Sequence, residues 1–386
     1  MRKRIVIAGS IAHSPGRGGL TWVFLQYLRG LARLGFDVLL VDRLEPEMCV
    51  DRLKAPCAVE HSWNLRYFLD VMERMDLAGR FALVGREGEV IAGLPRPEML
   101  GKVRDSALLL NVMGFLTDPE ILGAAPFRVF LDIDPGFPQM WRQQGLADVM
   151  AGHEALVTIG ENVGLPDCSI PTCGLDWITT PQPIVLADWP LGVSGGEAFT
   201  SVVSWRGPFG PLSHDGRRHG LRVHEFRKFL DLPQRTKATF ELALDIDPAD
   251  ETDRIALIER GWRLVNPLVA AGDPWAYRDF IRTSRAEYLV AKNMYVETRS
   301  GWISDRSLCY LASGKPVLMQ DTGLASRYPT GAGLLTFGTV DEAAEGVGRI
   351  ARDYTDHAQA ARRMAEEHFD SDKVLTRLLL RLGVKT

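Results

Sequence analysis

The stretch YVETRSGWISDRSLCYLASGKPVLMQDTGL, residues 295–324, gathers side chains that hold an anionic group. Ser304 precedes a helical pattern in which Leu308 and Leu311 share a face, and Gly314 and Pro316 end it. The spacing predicts a short helix starting at Asp305 with Ser304 as its N-cap. A helix start leaves N–H groups without partners and carries the positive end of the backbone dipole. Arg299, Arg306 and the hydroxyls of Ser300 and Ser307 surround that end, and Gly301, Asp321 and Thr322 belong to the same set. The constellation suits a diphosphate. The competing reading of the same residues is a capping loop in which Arg299 and Arg306 pair with Asp305 or Glu297.

A second group lies near the N-terminus, where the loop SIAHSPGRGG separates the strand-like RIVIAG from a helical pattern. Gly18 and Gly19 permit a close backbone approach at a helix start. The loop lacks the G-x-G-x-x-G order of a dinucleotide site, although Asp42 closes the second strand, and a plain turn in a βα unit explains it as well. His13 in this loop is of a type that deprotonates a hydroxyl near neutral pH. Asp-x-Asp occurs twice, in LDIDPGF (131–137) and LDIDPAD (244–250). Such pairs offer hard oxygen ligands to a divalent cation, but two copies at strand ends in two similar halves read more simply as turn starts. No metal is expected. Asp132 and Asp134 do fall at the carboxyl edge of a strand, where open α/β sheets bind ligands.

The elements that must position these residues alternate between strand-like and helical patterns, the signature of βαβ units and a parallel, doubly wound sheet. At 386 residues the chain exceeds what a single core supports, so two domains are expected. RIVIAG, FDVLLVD, RFALVG, ALLLNVMG, FRVFLDI and ALVTIG build the first. FTSVVSW, TFELALDI, WRLVNP, EYLVAKNMYV, PVLMQD and GLLTF, as strands or short buried segments, build the second, and helices over 341–354 and 357–382 close the chain. TPQPIVLADWPLGVSGGE, rich in Pro and Gly, separates the two. A net charge of −4 and the lack of a basic run argue against a nucleic-acid partner. No transmembrane segment or leader is read, which points to the cytoplasm. Cys49, Cys57, Cys168, Cys173 and Cys309 form no Cys-x-x-Cys pair and are expected to be reduced.

On these residues a resemblance can be stated. LCYLASGKPVL, a helix followed by Gly-x-Pro-Val, resembles the donor-site element of the GT-B glycosyltransferase superfamily. GGLTWVFLQYLRGLARLGFDV resembles its N-terminal loop and helix, and HFDSDKVLTRLL its closing helix; together they span under a quarter of the chain. FTSVVSWRG, RRHGLRVHEFRKFLDLP and SRAEYLVAKNMYV are similar to a bacterial subgroup of unassigned chemistry.

The resemblance implies two Rossmann-like doubly wound domains facing a cleft. Residues 1–187 would bind an acceptor and 188–368 a nucleotide-sugar donor, with 369–386 a helix packing back on the first. It implies hexosyltransferase-like transfer to a small-molecule or glycan acceptor, with no metal or other cofactor. His13 and Asp134 would be the catalytic candidates, and Arg222 and Lys292 the cations near the diphosphate. Arg206 reads more simply as a surface residue. One position departs: five residues before the Gly, where the family often places a ribose-binding Glu, stands Cys309, leaving Glu225 and Asp305 as substitutes. An epimerase or phosphorylase on the same architecture, and a non-catalytic binding protein, remain the alternatives.

Overall fold

In the computed structural model, residues 3–193 and 196–385 are described. Strands β1 (Arg4–Gly9), β2 (Asp37–Arg43), β3 (Phe81–Val84), β4 (Val90–Gly93), β5 (Ser106–Val112), β6 (Arg128–Asp132), β7 (Ala155–Thr158) and β8 (Trp177–Thr179) form a sheet in the order β4-β3-β2-β1-β5-β6-β7-β8. All neighbours are parallel except β3 and β4. Covered on both faces, its central strands read as continuous apolar runs.

Strand β9 (Ala198–Ser204) opens a second sheet, and a hairpin of β10 (Leu212–His214) and β11 (Arg217–His219) follows it. Then come β12 (Thr239–Asp245), β13 (Arg263–Val265), β14 (Ala286–Leu289), β15 (Val317–Gln320) and β16 (Leu334–Phe337). The order β13-β12-β9-β14-β15-β16 is parallel throughout and doubly wound. The architecture is therefore the one expected, two Rossmann-like sheets. Among the described residues no helix is long and apolar enough to cross a membrane, and the five cysteines stand as free thiols.

The two units meet through the loops at the carboxyl ends of their strands. Asn162, after β7, donates from Nδ2 to the carbonyls of Arg299 at 3.0 Å and Gly323 at 3.1 Å. Behind them, helix Gly18–Arg33 packs Trp22 against Trp189 of the crossing segment, ring centres 5.0 Å apart, and Trp22 Nε1 donates to the Pro274 carbonyl at 2.7 Å. Aromatic pairs of this kind add ~1 kcal/mol beyond their area.

Two expectations change. EYLVAKNMYV is strand only at its first three residues, the end of β14, because the ladder with β15 stops at Leu289 and residues Asn293–Glu297 coil into a helix. Nor is 357–382 one helix. Helix Tyr354–Met364 passes through a wide turn, Ala365–Phe369, and breaks at Asp370 before helix Ser371–Arg381. The break lets the chain pair with the first crossing: Ile184 N donates to Phe369 O at 2.8 Å and Ser371 N to Ile184 O at 2.9 Å. Helix Ser371–Arg381 then lies on helix Gly18–Arg33, with Arg33 forked onto Asp372 at 3.0–3.1 Å.

Candidate active site

Asp134, in the loop after β6, reaches across to Lys292, in the loop after β14. Lys292 Nζ donates to its two oxygens at 2.8 and 2.5 Å, and the Tyr295 hydroxyl donates to it as well. Lys292 is 6% exposed, with the rings of Phe137, Tyr295 and Phe209 at 5.1, 5.2 and 5.7 Å. Burial pushes its pKa below the usual lysine value; Asp134 opposes this, and Arg222 adds to it. Asp132, fully buried, braces the loop. It accepts from Gln139 and Thr158, both at 2.7 Å, and from the Asp134 amide at 2.9 Å, and burial pushes it up to about 6.

Arg222 opens helix Arg222–Phe226 beneath this pair. It is 9% exposed and donates from Nη1 to the Ser204 carbonyl at 3.0 Å, while its Nε is buried without a partner. Among the described residues no carboxylate bonds to it, and its pKa falls to about 10, first from burial and then from Arg306. Tyr295, Asp134 and Asp305 also act on its charge. A buried guanidinium with a free donor and a cationic neighbour is suited to hold an anion.

The helix expected at Asp305 is present over Asp305–Ala312, and Ser304 Oγ accepts from the Arg306 amide at 3.2 Å. Burial raises the Asp305 pKa, against the pull of Arg306. Arg306 points beneath the sheet, where Nε donates to Glu287 at 2.6 Å and Nη1 to the Val202 carbonyl at 2.6 Å, leaving Nη2 without a partner. Burial opposes its charge, and the Glu287 carboxylate more than restores it. Ser307 lies buried beside Glu287.

Glu225, offered above for a ribose, is already engaged: it accepts from Lys228 at 2.7 Å, Asn293 at 2.7 Å and Gln320 at 2.8 Å. Cys309 is buried and donates to the Asp305 carbonyl at 3.3 Å. Arg299 is exposed, with its backbone at a φ of 51°. Ser300, Gly301, Asp321 and Thr322 build the adjoining loops. Thr322 donates to the Trp302 carbonyl at 2.6 Å, Ser300 to the Tyr295 carbonyl at 3.3 Å, and Asp321 accepts from Gly323 N at 3.0 Å. Gly301, at a φ of 68°, presses so closely on Asn162 that an added Cβ would lie 2.6 Å from it.

Gly18 and Gly19 correct one expectation. The backbone that approaches this helix start is the protein's own: a Cβ on Gly18 would stand 2.2 Å from the Asp273 carbonyl oxygen, and one on Gly19 would stand 2.9 Å from Tyr277. His13 stays with the first sheet. Its Nε2 is buried without a partner, and burial lowers its pKa, with Glu45 and Arg43 as its charged neighbours. Arg206 forks onto Asp250 at 2.6–2.7 Å on the surface. Asp42 is buried under backbone donors, Ile11 N at 2.7 Å and Arg43 N at 2.8 Å. Asp247 starts a turn, as expected of the second Asp-x-Asp, by accepting from Ala249 N at 2.8 Å.

Three contributors escaped the sequence reading: Tyr295, Asn162 and the β10–β11 hairpin. Phe209, leading into the hairpin, packs on Phe137 and Trp141 with ring centres 4.9 Å apart in each case, and Gln144 donates to the Ser213 carbonyl at 2.7 Å. The second unit thereby covers the Lys292–Asp134 pair from above.

No protein-family model and no curated protein matches the chain. Solved structures do. An α-glucosyltransferase (AGT) in complex with UDP is similar at a TM-score of 0.60 and 12% identity, over 98% of this chain and 99% of that one. An α-glucosyltransferase in complex with UDP and a 13-mer DNA is similar at a TM-score of 0.61 and 12% identity, over 99% of this chain and 100% of that one. Anabaena HepE in complex with UDP-glucose is similar at a TM-score of 0.59 and 11% identity, over 98% of this chain and 99% of that one. AviGT4, a glycosyltransferase involved in avilamycin A biosynthesis, is similar at 0.55 and 14% identity, over 99% and 97%. The chain has the GT-B fold.

Proposed function

We propose that the protein transfers a sugar from a nucleotide-sugar donor to a small-molecule or glycan acceptor. The observation that carries this reading is Arg222, a buried guanidinium with an unpartnered Nε and no carboxylate, at the carboxyl edge of the second sheet. A diphosphate there gains charge-assisted hydrogen bonds from Arg222. As the sugar departs, charge develops on the leaving diphosphate, and Arg222, Lys292 and the N-terminus of helix Asp305–Ala312 supply positive potential without a divalent cation. Similar folds solved with UDP and UDP-glucose make a uridine nucleotide the first donor to try.

On the acceptor side stand Asp134 and His13. Asp134 is poised to take an acceptor proton once Lys292 turns to the donor phosphates, and His13 carries a buried free Nε2 in the first loop. A nucleic-acid acceptor is not part of this reading, given the net charge of −4.

Calorimetry with UDP, GDP and TDP in EDTA tests the donor site. One of them should bind, and Arg222→Ala should weaken it by about 1.5–3 kcal/mol, the loss of a hydrogen bond to a charged group. Binding of NAD alone, or nucleotide affinity unchanged in Arg222→Ala, would remove the assignment. Turnover that requires added Mg or Mn would remove its metal-free part.

A further inference from the structure

A cavity of about 340 Å³ opens at the seam between the two units, walled by Arg327, Arg377, Arg381, His368, Tyr328 and Glu161. That volume lies in the range of small-molecule sites. Its wall combines five pieces of chain: the loop after β7 at Glu161, the exit of β8 at Thr179 and Thr180, the loop after β15, the wide turn at His368, and the closing helix Ser371–Arg381.

The charge is lopsided. The three guanidiniums donate to uncharged oxygens alone: Arg327 to Asn162 Oδ1 at 3.0 Å and the Glu161 carbonyl, Arg377 to the His368 carbonyl at 3.3 Å, and Arg381 to the Thr179 carbonyl at 2.7 Å. None has an ion-pair partner among the described residues. Glu161, the single carboxylate in the wall, accepts from the Tyr328 hydroxyl, and burial raises its pKa. Three cations therefore face one carboxylate in this wall. Arginines converging from separate segments match the oxygens of a phosphate dianion, each fork taking two.

We propose that this cavity binds a small polyhydroxylated phosphomonoester, with its phosphate on Arg327, Arg377 and Arg381 and its hydroxyls against Glu161 and the Thr179–Thr180 segment. Such a ligand tethers the closing helix to loops of both sheets. Through Arg327 and Asn162 it also touches the loops of Arg299 and Gly323. The inference is independent of the donor-site reading, since it shares none of Arg222, Lys292 or Asp134.

Calorimetry on the full chain with inorganic phosphate, ribose 5-phosphate and neutral ribose tests it. Ribose 5-phosphate should bind, phosphate should compete with it more weakly, and ribose should give no heat. The surface double variant Arg377→Ala/Arg381→Ala should raise the ribose 5-phosphate Kd at least tenfold with an unchanged melting temperature, whereas Arg222→Ala should leave it unaltered. If the double variant unfolds, Arg377→Gln alone should still raise the Kd. No binding at millimolar concentration, or binding lost in Arg222→Ala and kept in the double variant, overturns the proposal. Ribose 5-phosphate binding no tighter than phosphate overturns its sugar part.

Discussion

Lys292 Nζ lies 2.8 Å from Asp134 Oδ1 and 2.5 Å from Oδ2, so a cation of the second sheet is neutralised by a carboxylate of the first. Both side chains are mostly buried. Removing one partner strands the other charge, at a cost of about 3–5 kcal/mol, whereas replacing both with uncharged groups of similar shape is close to neutral. Asp134→Asn should therefore destabilise the protein in urea unfolding. Adding Lys292→Met should recover most of the loss, and a double variant as unstable as the single one would show that the pair does not couple.

Arg306 was expected at a phosphate, but its Nε is spent on Glu287, which is 0% exposed. Arg306→Ala should accordingly read out in folding, by about 3–5 kcal/mol, before it reads out in ligand affinity. Arg306→Met with Glu287→Gln should restore stability. Full stability of Arg306→Ala would break this account.

Two buried carboxylates give the fold a pH dependence of definite sign. Burial pushes Asp42 up to about 7 and Asp132 up to about 6. An unfolded carboxylate releases its proton near pH ~4. Between those values the folded state binds more protons, so each group's contribution is complete below pH ~4 and is lost as pH rises through the folded value. Unfolding free energies of wild type and Asp42→Asn at pH 5 and 7.5 should differ in slope, the wild type losing more. Equal slopes would contradict it.

Gly18 tests how tightly the halves are apposed. Gly18→Ala forces a methyl to within 2.2 Å of the Asp273 carbonyl, and backbone cannot yield as a flexible side chain can. The expected cost is roughly 1–3 kcal/mol, with a larger radius of gyration in small-angle scattering. Gly101→Ala, also helical but with open space around it, is the control and should be harmless.

Much of the fold was legible because parallel strands buried on both faces are continuous apolar runs, and helix Asp305–Ala312 announced itself through Ser304, Asp305 and Gly314. The hairpin was legible too, and was missed. Asp215-Gly216, at φ values of 47° and 71°, is the two-residue turn that joins such strands. Other features had no local signal. Whether Arg306 faces a ligand or Glu287 depends on what β14 places beneath it, nineteen residues away in sequence. Nothing in AHSPGRGG tells that Asp273 will fill the space above Gly18. The apolar neighbours of Tyr295 fit a strand or a short buried segment equally, and the sheet edge at Leu289 decides between them.

The backbone passes between the sheets twice, and the two passes are hydrogen-bonded side by side at Ile184 and Phe369–Ser371. A single covalent thread lets two bodies swivel freely. Two threads fastened together behave as a strip, which bends about its width far more easily than it twists. Two such passes side by side hold the sheets in register more firmly than either would alone. The paired backbone at Ile184 and Phe369–Ser371 adds to the alignment that the Lys292–Asp134 contact imposes across the cleft.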